Sequence, residues 1–181
     1  MTGMWMRAGV MAGMLWAFSG GALGQTYYQA SDGTIDFVKG SFVDWTDPAN
    51  WDTITDQVAI TRANSRGIFN PIQESAYGGG SPLGTRWYFG GTVQDVIDGS
   101  LTLASFSSWQ SAAGGNPPAT VGVNAVLYLE AEDAYVDLVF TDWGMTPGAG
   151  GTFAYTRATI PAPATGVALA LVGVMGLRRR R

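Results

Sequence analysis

Neither cysteine nor histidine occurs in the 181 residues, and the two absences set the first limits on chemistry. Without imidazole or thiol there is no Ser-His-Asp or Cys-His nucleophile, no c-type haem attachment, no iron–sulfur cluster and no ordinary zinc site. No disulfide can staple the fold, so its stability must come from its core. Positive charge is scarce as well. Ten Lys and Arg stand against fourteen Asp and Glu, and five of the ten, Arg7 and Arg178, Arg179, Arg180 and Arg181, lie near the two ends. Between them, Lys39, Arg62, Arg66, Arg86 and Arg157 oppose all fourteen acids, which leaves the body at a formal −9. Such a surface repels phosphates and excludes a nucleic-acid partner. Gly78-Gly79-Gly80 lacks the lysine and the strand-to-helix setting of a phosphate loop. In so acidic a body the few cations are expected to pair with carboxylates rather than bind an anionic substrate.

What is abundant is glycine, with 26 residues, together with 12% aromatics and short β-branched runs, a composition of turn-rich β structure. The length allows one domain. Strands are predicted at 33–38, 57–62, 86–89, 100–106, 125–130, 135–141 and 152–157, with a helical turn at 93–98 and loops at 76–84 and 111–118. The clearest pair is 125–130 with 135–141, reversed by Ala131-Glu132-Asp133 into an antiparallel hairpin. In its second arm a period of two puts Val136, Leu138 and Phe140 on the core face and Tyr135, Asp137, Val139 and Thr141 on the other. The strand 152–157 is expected beside this hairpin. The fold class is therefore all-β, an antiparallel β-sandwich or jelly roll.

A Phe-x-x-Trp echo recurs at Phe42–Trp45, Phe106–Trp109 and Phe140–Trp143. One reading has Phe pointing inward while Trp covers a sheet edge. The other makes Trp45, Trp109 and Trp143 stacking platforms for sugar rings, and hence a carbohydrate-binding module. Asp44, Asp47, Asp52 and Asp56, set among Asn50, Thr53 and Thr55, offer the hard oxygen ligands that calcium takes. Glu130, Glu132 and Asp133 form a weaker cluster of the same kind. No carboxylate pair has a spacing that marks a glycosidase, and no other cofactor is implied. The expectation is a protein that is not an enzyme.

The ends carry targeting features. Residues 1–7 finish on Arg7, 8–18 are apolar, and Ala22-Leu23-Gly24 puts small residues where a signal peptidase cuts, before Gln25. Residues 1–24 thus read as a secretory signal helix that engages the Sec translocon and signal peptidase. At the other end, 159–181 holds a proline linker, an apolar stretch at 167–177 and four terminal arginines. Eleven helical residues reach only about 16 Å, against a hydrocarbon core of roughly 30 Å. The arginines resist translocation and leave the body, 25–158, on the far side of the membrane.

This tripartite tail resembles the PEP-CTERM sorting domain, in which a Pro-Glu-Pro motif, an apolar helix and a basic cluster are recognised by an exosortase-type membrane protease. Pro161-Ala162-Pro163 keeps the two prolines and replaces the central glutamate with alanine. In the body, the segment from Asp56-Gln57-Val58-Ala59-Ile60-Thr61-Arg62 to Ser81-Pro82-Leu83-Gly84-Thr85-Arg86-Trp87 is similar to hypothetical proteins with PEP-CTERM tails. The same holds for the stretch with Phe140-Thr141-Asp142-Trp143 and Phe153-Ala154-Tyr155-Thr156-Arg157. The resemblance implies delivery to the cell surface or extracellular matrix, transient or lasting contact with the inner membrane, an exopolysaccharide setting, and a structural or adhesive role.

Overall fold

The structure, a computed structural model, describes residues 24–161. Its centre is the hairpin of β7 (Asn124–Leu129) and β8 (Ala134–Trp143), paired through Ala125↔Leu138, Leu127↔Val136 and Leu129↔Ala134. Period-two alternation gives these strands an inner face of Ala125, Leu127, Leu129, Ala134, Val136, Leu138 and Phe140, all buried. The reversal needs one residue in the left-handed region. Asp133 supplies it at φ 46°, a conformation that aspartate tolerates better than most residues. Its carboxylate also accepts a hydrogen bond from the Tyr128 hydroxyl at 3.0 Å.

The main sheet runs β2-β9-β8-β7-β6, where β2 is Thr34–Lys39, β6 is Thr85–Phe89 and β9 is Phe153–Ala158. β9 pairs antiparallel with β8 from Leu138 to Trp143, as expected of 152–157. The short β1 (Thr26–Tyr28) pairs with the start of β8, Thr26↔Ala134 to Tyr28↔Val136, and it is parallel. That corrects the all-antiparallel expectation. Because β8 has ten residues, or about 34 Å of strand, β1 and β9 fit one after the other along the same side. A bulge at Thr141 shifts the register between Phe140 and Asp142 and adds local twist.

A second, smaller sheet is formed by β3 (Asp52–Thr53), β4 (Ala59–Arg62) and β5 (Ile68–Phe69), in that order and antiparallel. From this region Ile54, Val58, Ile60 and Ile68 join the inner face of the main sheet, with Trp87, Phe153 and Tyr155, in one core. Asn70, fully buried, ties the loops around it. Its side-chain oxygen accepts from the Ala59 and Ile72 amides at 3.1 and 3.2 Å, and its nitrogen donates to the Gln57 and Leu83 carbonyls at 2.9 and 3.0 Å. Those bonds saturate the amide.

The opposite face of the main sheet is covered too. Val126, Tyr128 and Tyr135 pack with Val93, Leu101 and Phe106, delivered by α1 (Val93–Ile97) and the loop after it. α1 opens on a capping box between Thr92 and Asp95, which satisfies two orphan amides. The segment 100–106, predicted as a strand, is a turn followed by a 3-10 helix at Leu103–Ser105. Leu101 donates its amide to the Asp95 carbonyl, and ladder pairing is reduced to Ser107 bridging Trp87. Phe106 is thereby delivered into the second core. The 111–118 loop is shorter than predicted, because α2 (Trp109–Ala112) and a 3-10 helix at Pro117–Thr120 take its ends. The flanking helices proposed for 1–24 and 159–181 lie outside the described residues, apart from Gly24 and 159–161. No helix among the described residues is long and apolar enough to cross a membrane.

Lys39, at the end of β2, is 1% exposed and makes no ion pair among the described residues; its ammonium lies 3.4 Å from the Gly40 carbonyl and 3.5 Å from that of Gly151. Burial, with Arg62 nearby, pulls its pKa below 10.5. The folded state therefore holds this proton less tightly than the unfolded chain does. That difference weakens folding at neutral pH, and the penalty fades as pH rises toward 10.5. Lys39→Met is expected to be more stable than the parent at pH 7 by about 1 kcal/mol. The gap should close as urea titrations are repeated at increasing pH. A Lys39→Met protein less stable than the parent at pH 7 would contradict this account.

Candidate functional site

Two of the three candidate tryptophans meet. Trp143 ends β8 and Trp109 opens α2, and their rings lie 5.2 Å apart, centroid to centroid. Arg62, the last residue of β4, lays its guanidinium 3.9 Å from the Trp143 ring centroid. It also donates to the carbonyls of Arg66 at 2.6 Å, Thr152 at 2.7 Å and Gly144 at 3.0 Å. Burial brings its pKa down to about 10, with Asp142 acting in the opposite sense. Beside these side chains is a shallow pocket of about 230 Å³ with Ser65, Arg66 and Gln110 on its rim.

The chemistry open to this pocket is narrow. Trp109 is 1% exposed and Trp143 9% exposed, and Arg62 lies over the Trp143 ring, so both rings of the proposed stacking platforms are spent largely on packing within the protein. Trp109 Nε1 is buried without a hydrogen-bond partner among the described residues. Gly67 is obligatory beside it, since a Cβ there would come within 2.7 Å of the Trp109 ring and 2.5 Å of Tyr77. The arrangement is a clamp that holds the β4–β5 hairpin to the turn between β8 and β9. Trp45 differs from the other two. It is half-buried, edge-on to Phe69 at 5.7 Å, and its carbonyl accepts from Trp51 Nε1 at 2.7 Å. The inward-Phe reading of the echo holds for Phe106 and Phe140 and fails at Phe42, which is 61% exposed with φ 53°.

The four aspartates proposed for calcium do not converge. Asp44 accepts the Thr46 hydroxyl at 2.7 Å and amide at 2.9 Å, bonds that lower its pKa. Asp47 caps the 3-10 helix Pro48–Asn50 by accepting the Ala49 amide at 2.9 Å. Asp56 is exposed. Asp52 turns inward, where its carboxylate takes Arg157 at 2.7 and 2.9 Å and the Tyr155 hydroxyl at 2.6 Å. Among the described residues no three acidic side chains are grouped to hold a metal ion, and the Glu130, Glu132 and Asp133 cluster forms no such group either. The physical reason is that local turn bonds engage Asp44 and Asp47 and a buried ion pair engages Asp52, which leaves Asp56 alone.

Of the five body cations, Arg157 pairs with Asp52 and Arg86 with Glu130 at 2.7 Å, while Arg62 and Lys39 rest on carbonyls. Sequence reasoning missed the Asp52–Arg157 pair because 105 residues separate its members, and it missed Asn70 because nothing local marks a buried amide. Of the sorting residues, Gly24, Gln25 and Pro161 are exposed. Ala22, Ala162, Pro163 and Arg178 to Arg181 lie outside the described residues. No protein-family model matches the chain, and neither the curated proteins nor the solved structures provide a match.

Proposed function

We propose that the chain is an exported cell-surface or extracellular-matrix protein whose body, of β-sandwich type, has a structural or adhesive rather than enzymatic role. The observation that supports this reading is that every strand the described residues form, from β1 at Thr26 to β9 at Ala158, falls between the two end signals, with the Gly24–Gln25 junction just before the first and Pro161 just after the last. On this reading the partners are the Sec translocon and signal peptidase at one end and an exosortase-type protease at the other, with exopolysaccharide as the surrounding medium.

An apolar stretch of about 16 Å is a poor permanent span, and four arginines behind it hold it in place for processing. The mature protein from its native host is therefore expected to start at Gln25 and to end close to Pro161 or Pro163. Mass spectrometry of the intact mature chain reads both ends at once. A chain that retains Met1 and Arg181 in the cytoplasmic fraction would overturn the proposal. Exchange of Arg178 to Arg181 for serine should weaken retention and release unprocessed protein.

A further inference from the structure

A cleft of about 690 Å³ lies between the 53–57 turn of the small sheet and the β7–β8 reversal. This falls within the roughly 300–1,000 Å³ of small-ligand clefts. Its apolar lining is supplied by Ile54, Leu129 and Ala134, all buried, and by Ile160 after β9. Six polar side chains besides Arg157 surround that lining: Tyr28, Thr53, Thr55, Asp56, Gln57 and Glu132. The Thr55 hydroxyl accepts from the Gln57 and Val58 amides, and none of the hydrogen bonds among the described residues uses the side chain of any of the other five. The Glu132 carboxylate has one oxygen that is buried and has no hydrogen-bond partner among the described residues. Arg157 also borders the cleft, but Asp52 and the Ala158 carbonyl occupy its guanidinium.

The composition of this set selects the ligand. With Arg157 neutralised by Asp52, Asp56 and Glu132 leave the cleft negative, which disfavours an anionic ligand. A cationic amine would use the two carboxylates and leave the Tyr28 and Thr53 hydroxyls and the Gln57 amide with no role. A polyol matches all five, because each hydroxyl both donates and accepts. Its donors would form charge-assisted bonds to the carboxylates of Asp56 and Glu132. The Tyr28 ring and the apolar lining suit the C–H face of a pyranose. We infer that this cleft binds a neutral, pyranose-containing oligosaccharide. This site uses none of the three tryptophans of the sequence echo, and its chemistry does not depend on where the protein is delivered.

The test uses the full chain in a zwitterionic detergent free of sugar, with immobilised neutral gluco-, galacto- and manno-oligosaccharides, polygalacturonate and oligolysine as probes. Saturable binding to at least one neutral probe is expected, and no binding to polygalacturonate. Glu132→Ala and, separately, Thr53→Val should each weaken that binding about tenfold, whereas Trp45→Ala should leave it unchanged. Glu132→Ala should at the same time melt no lower than the parent without sugar, since it removes a buried oxygen that has no partner. That combination separates a binding role from a structural one. Absence of binding to every neutral probe, binding to oligolysine alone, or neutral binding untouched by both cleft substitutions would each overturn the inference.

Discussion

Replacing Asp52 with alanine is expected to destabilise the fold by about 3–5 kcal/mol, the range for removing one partner of a buried ion pair. Asp52 and Arg157 are both nearly out of solvent, with side chains 8% and 5% exposed, and the pair is bidentate. Tyr155, buried beside them, donates its hydroxyl to the same carboxylate at 2.6 Å. Burial and the neighbouring Asp52 charge push the Tyr155 pKa well above 10.0. For Arg157, burial works to lower the pKa, but the hydrogen bond and charge of Asp52 outweigh it and the net shift is upward. Alanine at 52 would strand that cation and leave the tyrosine hydroxyl without its acceptor. The damage should reach both sheets, because Asp52 belongs to β3 of the small sheet while Tyr155 and Arg157 belong to β9 of the main one. Urea unfolding monitored by tryptophan fluorescence measures the loss. Adding Arg157→Met to Asp52→Ala should restore part of it, since the stranded charge goes too. A loss under about 1 kcal/mol, the ordinary value for a surface pair, would show that the network does not hold the sheets together.

Trp143→Ala is expected to cost a similar amount, about 3–5 kcal/mol for a large aromatic removed from a core. The ring contacts Trp109 at 5.2 Å, Phe140 at 5.8 Å and Phe153 at 6.1 Å, and Arg62 covers its remaining face. Its removal opens a cavity and leaves a partly desolvated guanidinium with only carbonyls for partners. Trp45→Ala should cost less, about 1–2 kcal/mol, because that ring is half-buried and edge-packed against one phenylalanine. The difference bears on glycan assays. Loss of sugar binding in Trp143→Ala would report unfolding rather than a missing stacking surface, unless its melting temperature matched the parent's. Equal stability of the two variants would refute the assignment of Trp143 to the core.

The hairpin of β7 and β8 was legible in the sequence down to its inner face, since Val136, Leu138 and Phe140 recur at a spacing of two after a three-residue reversal. Tyr135 and Val126 were harder to place. The main sheet is covered on both faces, and a residue on the second face of such a sheet carries no period-two mark of burial. The 100–106 segment reads as strand because Leu101, Leu103 and Phe106 are apolar. Leu101 and Phe106 are apolar because they cover the second face from a turn and the end of a 3-10 helix, while Leu103 is 38% exposed, and composition cannot separate these cases from a strand. β3 and β5, with two residues each, are too short for any pattern to show.

The sequence by itself determined the absence of thiol and imidazole chemistry, the acidic body between features that read as targeting signals, the mostly β character and the central hairpin. Each of these depends on residue identity or on spacing within a few positions, which local sterics and alternation translate directly into structure. Only the tertiary structure decided that Asp52 belongs to Arg157 rather than to a cation site, that Trp109 and Trp143 lie in the core, and that the side chains of Tyr28, Thr53, Asp56, Gln57 and Glu132 surround one cleft. Those are contacts between residues far apart in the chain, set by how the two sheets pack. No local rule of charge, propensity or periodicity encodes which distant partner a buried group will find.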